Sequence, residues 1–428
     1  MFKMAPLRRQ MMIFMAAMGL SSSLAALPAH PKAAALPYKR KQSTGLLTDQ
    51  LQIGVVTHYG MHGESTKTFD TLVSTGARGL RDEAYWSHVE HSPGILVVPR
   101  HVLVWYYLAM RYRLHPLLLL SYANPAYQNG ALPTTAAGRA GFARYAAFVA
   151  RSLPGIQQFQ IWNEWELMSP AGSPGLAKDY LALVSAVAPV LRTERPGALV
   201  LPAGVHRSSF YNGYLESLVR GGLLDHVDGI ALHTYRFEQP DPSPEAWFTE
   251  INDLAARIAQ WDPVRGGQAN LYVTEMGFPS HWGQHGISEE VQADYLERCL
   301  LLALLVPRLR GFWWYGLRDK GLILKESEHH YGLLQESGQM KPSGLRLTEL
   351  MERLKTVVSA NVMKQLPGRL ALRLERSDRS SWIVQWAAGP ISDPVQPKPT
   401  HSTATLSPAP LPDLALGTRP VWTLIPPA

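Results

Sequence analysis

Cysteine is almost absent from this chain, which carries a single one, Cys299, in 428 residues. A protein with one thiol forms no intramolecular disulfide, and cysteine-rich metal sites are excluded with it. Cys299 lies in the apolar, helix-patterned stretch from Val291 to Leu305, where we expect a buried structural thiol.

The motifs of several large enzyme classes are also missing. No HExxH occurs, although His58 and His62 are four residues apart and His329-His330 are adjacent, so we interpret these histidines as surface or loop residues. No GxSxG is found, no GxGxxG follows the first apolar run, and no GxxxxGK[ST] occurs. We therefore expect neither a metal ion nor another cofactor.

Charge is sparse and only mildly one-sided. Charged residues make up 18% of the chain, with 41 Lys and Arg against 34 Asp and Glu. No block of basic residues interleaved with aromatic residues is present, so we expect no nucleic-acid partner.

A run long enough to cross a membrane is lacking as well. Residues 1–30 have the pattern of an export signal, in which Lys3, Arg8 and Arg9 precede an apolar stretch, Met11–Leu20, that is too short to span a bilayer. We predict its removal, a linker at 31–48, no stable membrane span thereafter, and a periplasmic or secreted protein. The alternative is an uncleaved N-terminal anchor.

Beyond residue 48, short apolar runs alternate with amphipathic helical stretches in eight units. With boundaries good to about two to four residues, the runs are Leu51–Val56, Ala77–Arg81, Pro116–Ser121, Gln158–Trp162, Ala198–Ala203, Gly229–His233, Leu271–Glu275 and Gly311–Tyr315. Continuous apolarity is typical of parallel strands that are covered on both faces. Eight such units favour a closed (β/α)₈ TIM barrel, of the α/β class, over an open doubly wound sheet, and we place it at residues 49–362.

Residues 363–428 have a different composition. Leu370–Leu374 and Trp382–Trp386 alternate as antiparallel strands do, and the loop 388–412 is rich in proline, serine and threonine. The run Leu414–Ile425 is expected to return as another strand. These features predict a small β-rich appendage that packs on the barrel, because so few strands bury too little surface to fold alone.

Two glutamates stand at the ends of predicted barrel strands. Glu164 follows Phe159–Asn163, and Glu275 follows Leu271–Thr274. Either glutamate alone is more often a solvent-facing loop residue, but barrel active sites form at the carboxyl ends of the strands, where strands four and seven face each other. Cleavage of a glycosidic bond needs such a pair, because one carboxyl protonates the departing oxygen and the other meets the oxocarbenium-like carbon.

Four motifs follow one another along the chain. They are Leu80-Arg81-Asp82-Glu83 with Trp86 and Glu90, Asn163-Glu164, His233-Thr234-Tyr235, and Phe312-Trp313-Trp314-Tyr315. With these motifs, about residues 50 to 360 resemble the large (β/α)₈ clan of retaining glycoside hydrolases. Within the clan the chain is most similar to glycoside hydrolase family 39, the family of β-xylosidases, α-iduronidases and bacterial exopolysaccharide glycosidases. It departs from the pattern at Trp165, where many clan members carry proline.

The resemblance implies roles for the residues around the two carboxylates. Glu164 would be the general acid and base, and Glu275 would be the nucleophile, kept ionised by Arg81. Asn163 would hydrogen-bond the sugar hydroxyl beside the reacting carbon. The alternative for Arg81 is a surface ion pair with a neighbouring carboxylate.

Four further residues are implied as supports. His233 and Tyr235 would orient the acid and the nucleophile respectively, and Trp313 or Trp314 would give a sugar ring an apolar floor. The alternatives are a core histidine with satisfied hydrogen bonds and plain barrel packing for the tryptophans.

Together these observations predict a retaining glycosidase that cleaves β-glycosidic bonds of an extracellular or cell-envelope polysaccharide by double displacement. We expect a monomer whose partner is a polysaccharide or oligosaccharide. The aromatic residues expected to line its cleft are Tyr59, Tyr85, Trp86, Tyr122, Tyr127, Trp165, Trp282 and Tyr315. The alternative is a carbohydrate-binding barrel in a polysaccharide export or biofilm system, which holds glycan without cutting it.

Overall fold

The computed structural model of the chain describes residues 46–62, 67–167, 174–366, 368–390 and 417–427. The predicted export signal and linker up to residue 45, and the predicted proline-rich loop from residue 391 on, lie outside the described residues.

Strands and helices alternate through the first three quarters of the described chain. The strands are β1 Gln52–Val56, β2 Gly79–Tyr85, β3 Glu90–Ser92, β4 Ile95–Leu96, β5 His115–Ser121, β6 Gln158–Ile161, β7 Leu199–Leu201, β8 Val205–His206, β9 Ile230–His233, β10 Leu271–Met276, β11 Leu309–Tyr315, β12 Val357–Leu366, β13 Arg369–Arg376, β14 Ser381–Ala387 and β15 Val421–Ile425. The helices are α1 Leu47–Gln50, α2 Tyr59–His62, α3 Lys67–Ser74, α4 Trp86–Val89, α5 Arg100–Arg111, α6 Ala136–Ser152, α7 Ala177–Glu194, α8 Tyr214–Arg220, α9 Pro244–Trp261, α10 Glu289–Ala303 and α11 Pro342–Leu354. Among the described residues, no helix has the length and apolarity that crossing a membrane would require.

Nine parallel strands form one curled sheet in the order β7-β6-β5-β2-β1-β11-β10-β9-β8. The two terminal strands of this order are consecutive in the chain and are separated only by residues 202–204. They are two halves of the fifth barrel strand: β7 pairs with β6, and β8 pairs with β9. Pro202 interrupts the strand because proline has no N–H to donate to a ladder. The predicted (β/α)₈ fold class is therefore confirmed.

The barrel interior is filled by large side chains that lie against glycines. Trp313 is fully buried in a cluster with Val56, Leu117 and Tyr272. A Cβ on Gly54 would lie 2.4 Å from the Trp313 indole. A larger residue at this position of β1 would therefore displace the Trp313 ring.

A separate four-stranded antiparallel sheet follows the barrel in the order β12-β13-β14-β15. The predicted C-terminal strands are confirmed as β13, β14 and β15. The longest member, β12, was not predicted, and its first residues, 357–362, lie within the range that we had assigned to the barrel.

Indole N–H groups attach this sheet to the helical layer. Trp386 Nε1 donates to Glu245 Oε1 over 2.8 Å, and Trp422 Nε1 donates to Glu297 Oε1 over 2.7 Å. Glu297 is 1% exposed and also accepts from Arg346 over 2.7 Å. Since buried carboxylates are costly without donors, these contacts join the sheet and the barrel into one structural unit.

Candidate active site

Glu275 lies near the carboxyl end of β10, and donors from β2 and from the segment after β9 hold its carboxylate. Arg81 Nη1 donates to Oε1 over 2.8 Å, and the Tyr235 hydroxyl donates to Oε2 over 2.7 Å. Burial alone would raise the pKa of Glu275, but the charges of His233 and Arg81 and the Tyr235 hydrogen bond outweigh it and lower the pKa to about 2. Glu275 is therefore an ionised, oriented carboxylate at neutral pH.

Arg81 spreads its guanidinium over three partners. Besides Glu275, Nη2 donates to Asn163 Oδ1 over 2.9 Å and Nε donates to Gln160 Oε1 over 2.7 Å. Arg81 is 2% exposed, so it is not a surface residue. The sequence pattern had indicated that Arg81 ends the second strand. In the structure β2 continues beyond Arg81 to Tyr85.

Gln160 was missed by the sequence reasoning. It is fully buried in β6, and its Nε2 donates to Pro202 O over 3.0 Å and to Thr274 Oγ1 over 3.3 Å. One amide thereby links the strand that precedes Glu164 to β2, β10 and the break in the fifth strand. The sequence feature that could have identified Gln160 is its polar side chain inside the apolar run Gln158–Trp162.

Glu164 follows β6 in a strained turn. Its φ is 42° and that of Trp162 is 73°, and such left-handed conformations of residues other than glycine cost about 1–3 kcal/mol each. Packing holds the turn, because the buried Trp162 ring lies 5.2 Å from Trp165 and 5.5 Å from Phe142. Trp165, which replaces the usual proline, is thus a core residue, and its Nε1 donates to Leu176 O over 3.2 Å.

His233 lies between the two glutamates. Its Nδ1 is 2.8 Å from Glu164 Oε1, and its Nε2 is 3.5 Å from Glu275 Oε1. A Cβ on Gly204 would lie 2.0 Å from His233 Nε2, so the ring fits only because that residue of the broken fifth strand is glycine. The imidazole is fully buried and fixed in place.

One carboxylate oxygen from each glutamate and one ring nitrogen of His233 all lie within 4.8 Å of one another. Carboxylate oxygens this close are compatible with the separation of about 5–5.5 Å between the carboxyl groups of retaining glycosidases. Glu164, His233 and Glu275 could together also act as ligands of a cation. However, the Arg81 charge beside Glu275 disfavours a bound metal ion.

Neither strand-eight tryptophan presents a face to a ligand. Trp313 is 0% exposed and Trp314 is 1% exposed, and Trp314 Nε1 donates to Tyr331 O over 3.3 Å. The next residue, Tyr315, lies at the mouth, where its ring is 5.8 Å from that of Tyr235.

The expected lining of aromatic residues is also partly wrong. Tyr59, Trp86 and Trp165 are at most 1% exposed, so none of them can stack on a sugar. By contrast, Tyr122 is 38% exposed and Trp282 is 53% exposed. Side-chain burial was not readable from the loop positions of these residues.

The Trp86–Glu90 motif has a structural role. Glu90 accepts from Trp86 Nε1 over 2.6 Å, from the Tyr127 hydroxyl over 2.7 Å and from the Gly94 N–H over 2.6 Å. The carboxylate organises the loop after β2 and lies apart from the Glu164–Glu275 cluster.

Glu166 is a second acidic residue beside Glu164 that the sequence reasoning did not single out. Its Oε1 accepts from the His206 N–H over 2.7 Å, and burial raises its pKa to about 7. That value would suit a general acid, but Glu166 is not in the cluster formed by Glu164, His233 and Glu275.

Replacing Arg81 by methionine should move the acid limb of the kcat/KM profile upward by about 1–3 pH units. Removing the guanidinium raises the pKa of Glu275, so the carboxylate is protonated, and activity is lost, at a higher pH than in the wild type. The pH dependence of hydrolysis measures this. Arg78→Met is the matched control, because it removes an equal charge from an exposed position directly before β2. An unmoved acid limb in Arg81→Met would contradict the role of Arg81.

Several solved structures are similar to this chain. A family 39 glycoside hydrolase from Bacteroides cellulosilyticus WH2 matches with a TM-score of 0.66 and 22% identity over 80% of this chain and 71% of that chain. A GH5_18 protein from Streptomyces cattleya, in complex with Manβ1-4GlcNAc, matches with a TM-score of 0.56 and 17% identity over 71% and 81%. An exo-β-1,4-mannosidase from Opitutaceae bacterium strain TAV5 matches with a TM-score of 0.54 and 14% identity over 70% and 59%.

These similarities show that the chain has the barrel fold of those glycoside hydrolases. No protein-family model matches the chain, and no curated protein sequence matches it.

Proposed function

We propose that this protein is a retaining glycoside hydrolase that cleaves β-glycosidic bonds of an extracellular or cell-envelope polysaccharide. The main support for this proposal is that one carboxylate oxygen of Glu164 and one of Glu275 lie within 4.8 Å of each other. Donation from Arg81 and Tyr235 keeps Glu275 ionised. The β-linked disaccharide bound by the structurally similar Streptomyces cattleya protein is in keeping with this substrate class. The extracellular site of action rests on the export signal that the N-terminal residues predict.

The first step forms a glycosyl ester. A carboxylate oxygen of Glu275 attacks the anomeric carbon as the bond to the leaving oxygen breaks, and Glu164 gives its proton to that oxygen. The Glu275 oxygens already face Arg81 and Tyr235, so the nucleophile is held in one orientation before substrate arrives. As Glu164 loses its proton, the buried His233 ring at 2.8 Å steadies the carboxylate that forms.

The second step reverses these roles. Glu164 takes a proton from water, the water oxygen bonds to the anomeric carbon, and Glu275 leaves as a carboxylate. The Asn163 side chain, fixed by Arg81 Nη2, faces the cluster and is placed to hydrogen-bond a sugar hydroxyl. Two displacements return the original anomeric configuration.

The protein is expected to release reducing ends from at least one β-linked polysaccharide, and the first product seen by proton NMR should be the β-anomer. The assay uses a panel of β-glucans, β-xylans and β-mannans. An α-anomer as first product would show inversion and exclude Glu275 as nucleophile. Binding without release on the whole panel would favour the carbohydrate-binding barrel instead.

A further inference from the structure

Trp282 has a large aromatic side chain that is exposed at the mouth of the barrel. It is 53% exposed in the loop that follows β10, the strand that carries Glu275. The backbone N–H of Trp282 donates to Leu324 O over 2.6 Å, which joins this loop to the one that follows β11. The two loops therefore form one edge of the mouth.

The adjoining residues extend this edge with aliphatic side chains. Leu322, Ile323 and Leu324 are 76%, 59% and 47% exposed, and they are the only run of three consecutive exposed large apolar residues in the described part of the chain. Contiguous exposed apolar surface is uncommon on a monomer and often marks a binding site. We call Trp282 with Leu322–Leu324 the rim.

The rim is held in place by hydrogen bonds within the protein. The Ile323 N–H donates to His329 Nδ1 over 3.2 Å, and His330 Nε2 lies 3.0 Å from Ile323 O. Below it, the buried Lys341 Nζ donates to Ser280 Oγ over 2.7 Å. A surface ordered in advance loses little conformational entropy when a ligand binds.

The rim continues into the catalytic mouth. Lys320, two residues before Leu322, donates to the Tyr315 hydroxyl, and the Tyr315 ring packs on Tyr235, which donates to Glu275. The rim thus lies on the nucleophile side of the mouth, whereas Glu164, which protonates the leaving group, comes from β6 across the barrel. The rim is therefore on the same side of the mouth as the carboxylate to which a glycosyl group would become attached.

We infer that the rim is a remote platform for a β-linked glycan chain, in which the Trp282 indole stacks on the apolar face of a sugar beyond the one that reacts. This inference rests on the proposed function and narrows its substrate to chains that extend on the non-leaving side. A flat indole with an aliphatic border matches the C–H face of a pyranose ring, and the hydroxyl edges of the ring remain in water. Such a protein cuts within chains rather than trimming single sugars from the non-reducing end.

The test measures binding by calorimetry in the Glu275→Gln background, with β-1,4-linked gluco-, xylo- and manno-oligosaccharides of two and of six sugars. Adding Trp282→Ala should raise the Kd of the hexasaccharide that binds best by about 2- to 10-fold, and leave that of the disaccharide unchanged. Trp282→Phe should restore part of the loss. Val264→Ala is the matched control, because Val264 is 83% exposed between α9 and β10, at the opposite end of the barrel.

Several results would overturn the inference. Equal loss for the short and long chains would show damage to the catalytic subsite, and an unchanged hexasaccharide Kd, or no binding by any of the three series, would remove the platform. Sedimentation that shows a dimer dissolved by Leu322→Ser would assign the rim to a second copy of the chain. Length-dependent binding through Trp282 in a wild-type protein that hydrolyses nothing would support the platform while refuting the hydrolase.

Discussion

Glu275→Gln should lower kcat/KM by a factor on the order of 10⁴ or more while glycan binding persists. The amide is no nucleophile, yet it has the shape of the carboxylate. Its oxygen can still accept from Arg81, and its NH₂ can donate to the Tyr235 hydroxyl, so the contacts at both positions are preserved. Initial rates of reducing-end release, beside calorimetric Kd values, measure the two effects separately.

Chemical rescue sharpens the assignment of Glu275. In Glu275→Ala, added azide can enter the vacated space and attack the anomeric carbon in place of the carboxylate, which yields a glycosyl azide of inverted configuration. Glu238→Gln is the control, because this exposed carboxyl lies in the loop after β9 and not in the cluster. Retained hydrolysis in Glu275→Gln, or an azide product of retained configuration from Glu275→Ala, would exclude Glu275 as nucleophile.

Glu164→Gln should reduce kcat/KM by about 10²–10⁴ for substrates whose leaving group needs a proton. The loss should be far smaller for the first step with 2,4-dinitrophenyl glycosides, because that phenolate leaves unprotonated. The basic limb of the pH profile should disappear, since no acid remains to lose its proton. Rates on natural and activated substrates, taken across pH, measure all three effects.

The neighbouring acid provides the decisive control for that experiment. Glu166 has the raised pKa of about 7 that a general acid needs, but it accepts from the His206 N–H instead of facing Glu275. Glu166→Gln mimics the protonated carboxyl and should change kcat/KM by less than about tenfold. If Glu166→Gln rather than Glu164→Gln abolished the basic limb, the acid would be Glu166.

Azide should also distinguish the two catalytic variants. In Glu164→Ala the glycosyl ester still forms, so azide attacks it as a second displacement and yields a glycosyl azide of retained configuration. Opposite azide stereochemistry from the Glu164 and Glu275 variants would follow only from double displacement.

The barrel was predictable because each strand is a continuous apolar run of a length that few other elements have. The Leu117–Leu120 run in β5 shows this most clearly. The break in the fifth strand was not predictable, because Pro202 lies within the apolar run and its consequence depends on which neighbours each half can reach. The strand β12 was not predicted, and its antiparallel pairing with β13 became evident only in the structure.

The site was predictable where a residue type has one strong chemical use. Glu164, Glu275 and Arg81 come together as the motifs indicated. Gln160 was not predictable, since its role depends on an atom of Arg81 two strands away. The aromatic lining failed because loop position does not reveal burial: Trp165 packs inward on Trp162, whereas Trp282 faces solvent.

The indole clamps between the C-terminal sheet and the barrel set a limit on the order of folding. Glu297 and Arg298 are at most 1% exposed in the finished protein, and although Arg346 donates to Glu297 Oε2, Oε1 gains its indole donor only when Trp422 has arrived. During synthesis or translocation with the N-terminus first, α10 carries this carboxylate while more than a hundred residues are still to come. The barrel can therefore assemble early, but the layer around α10 is completed only when the chain has emerged as far as residue 422.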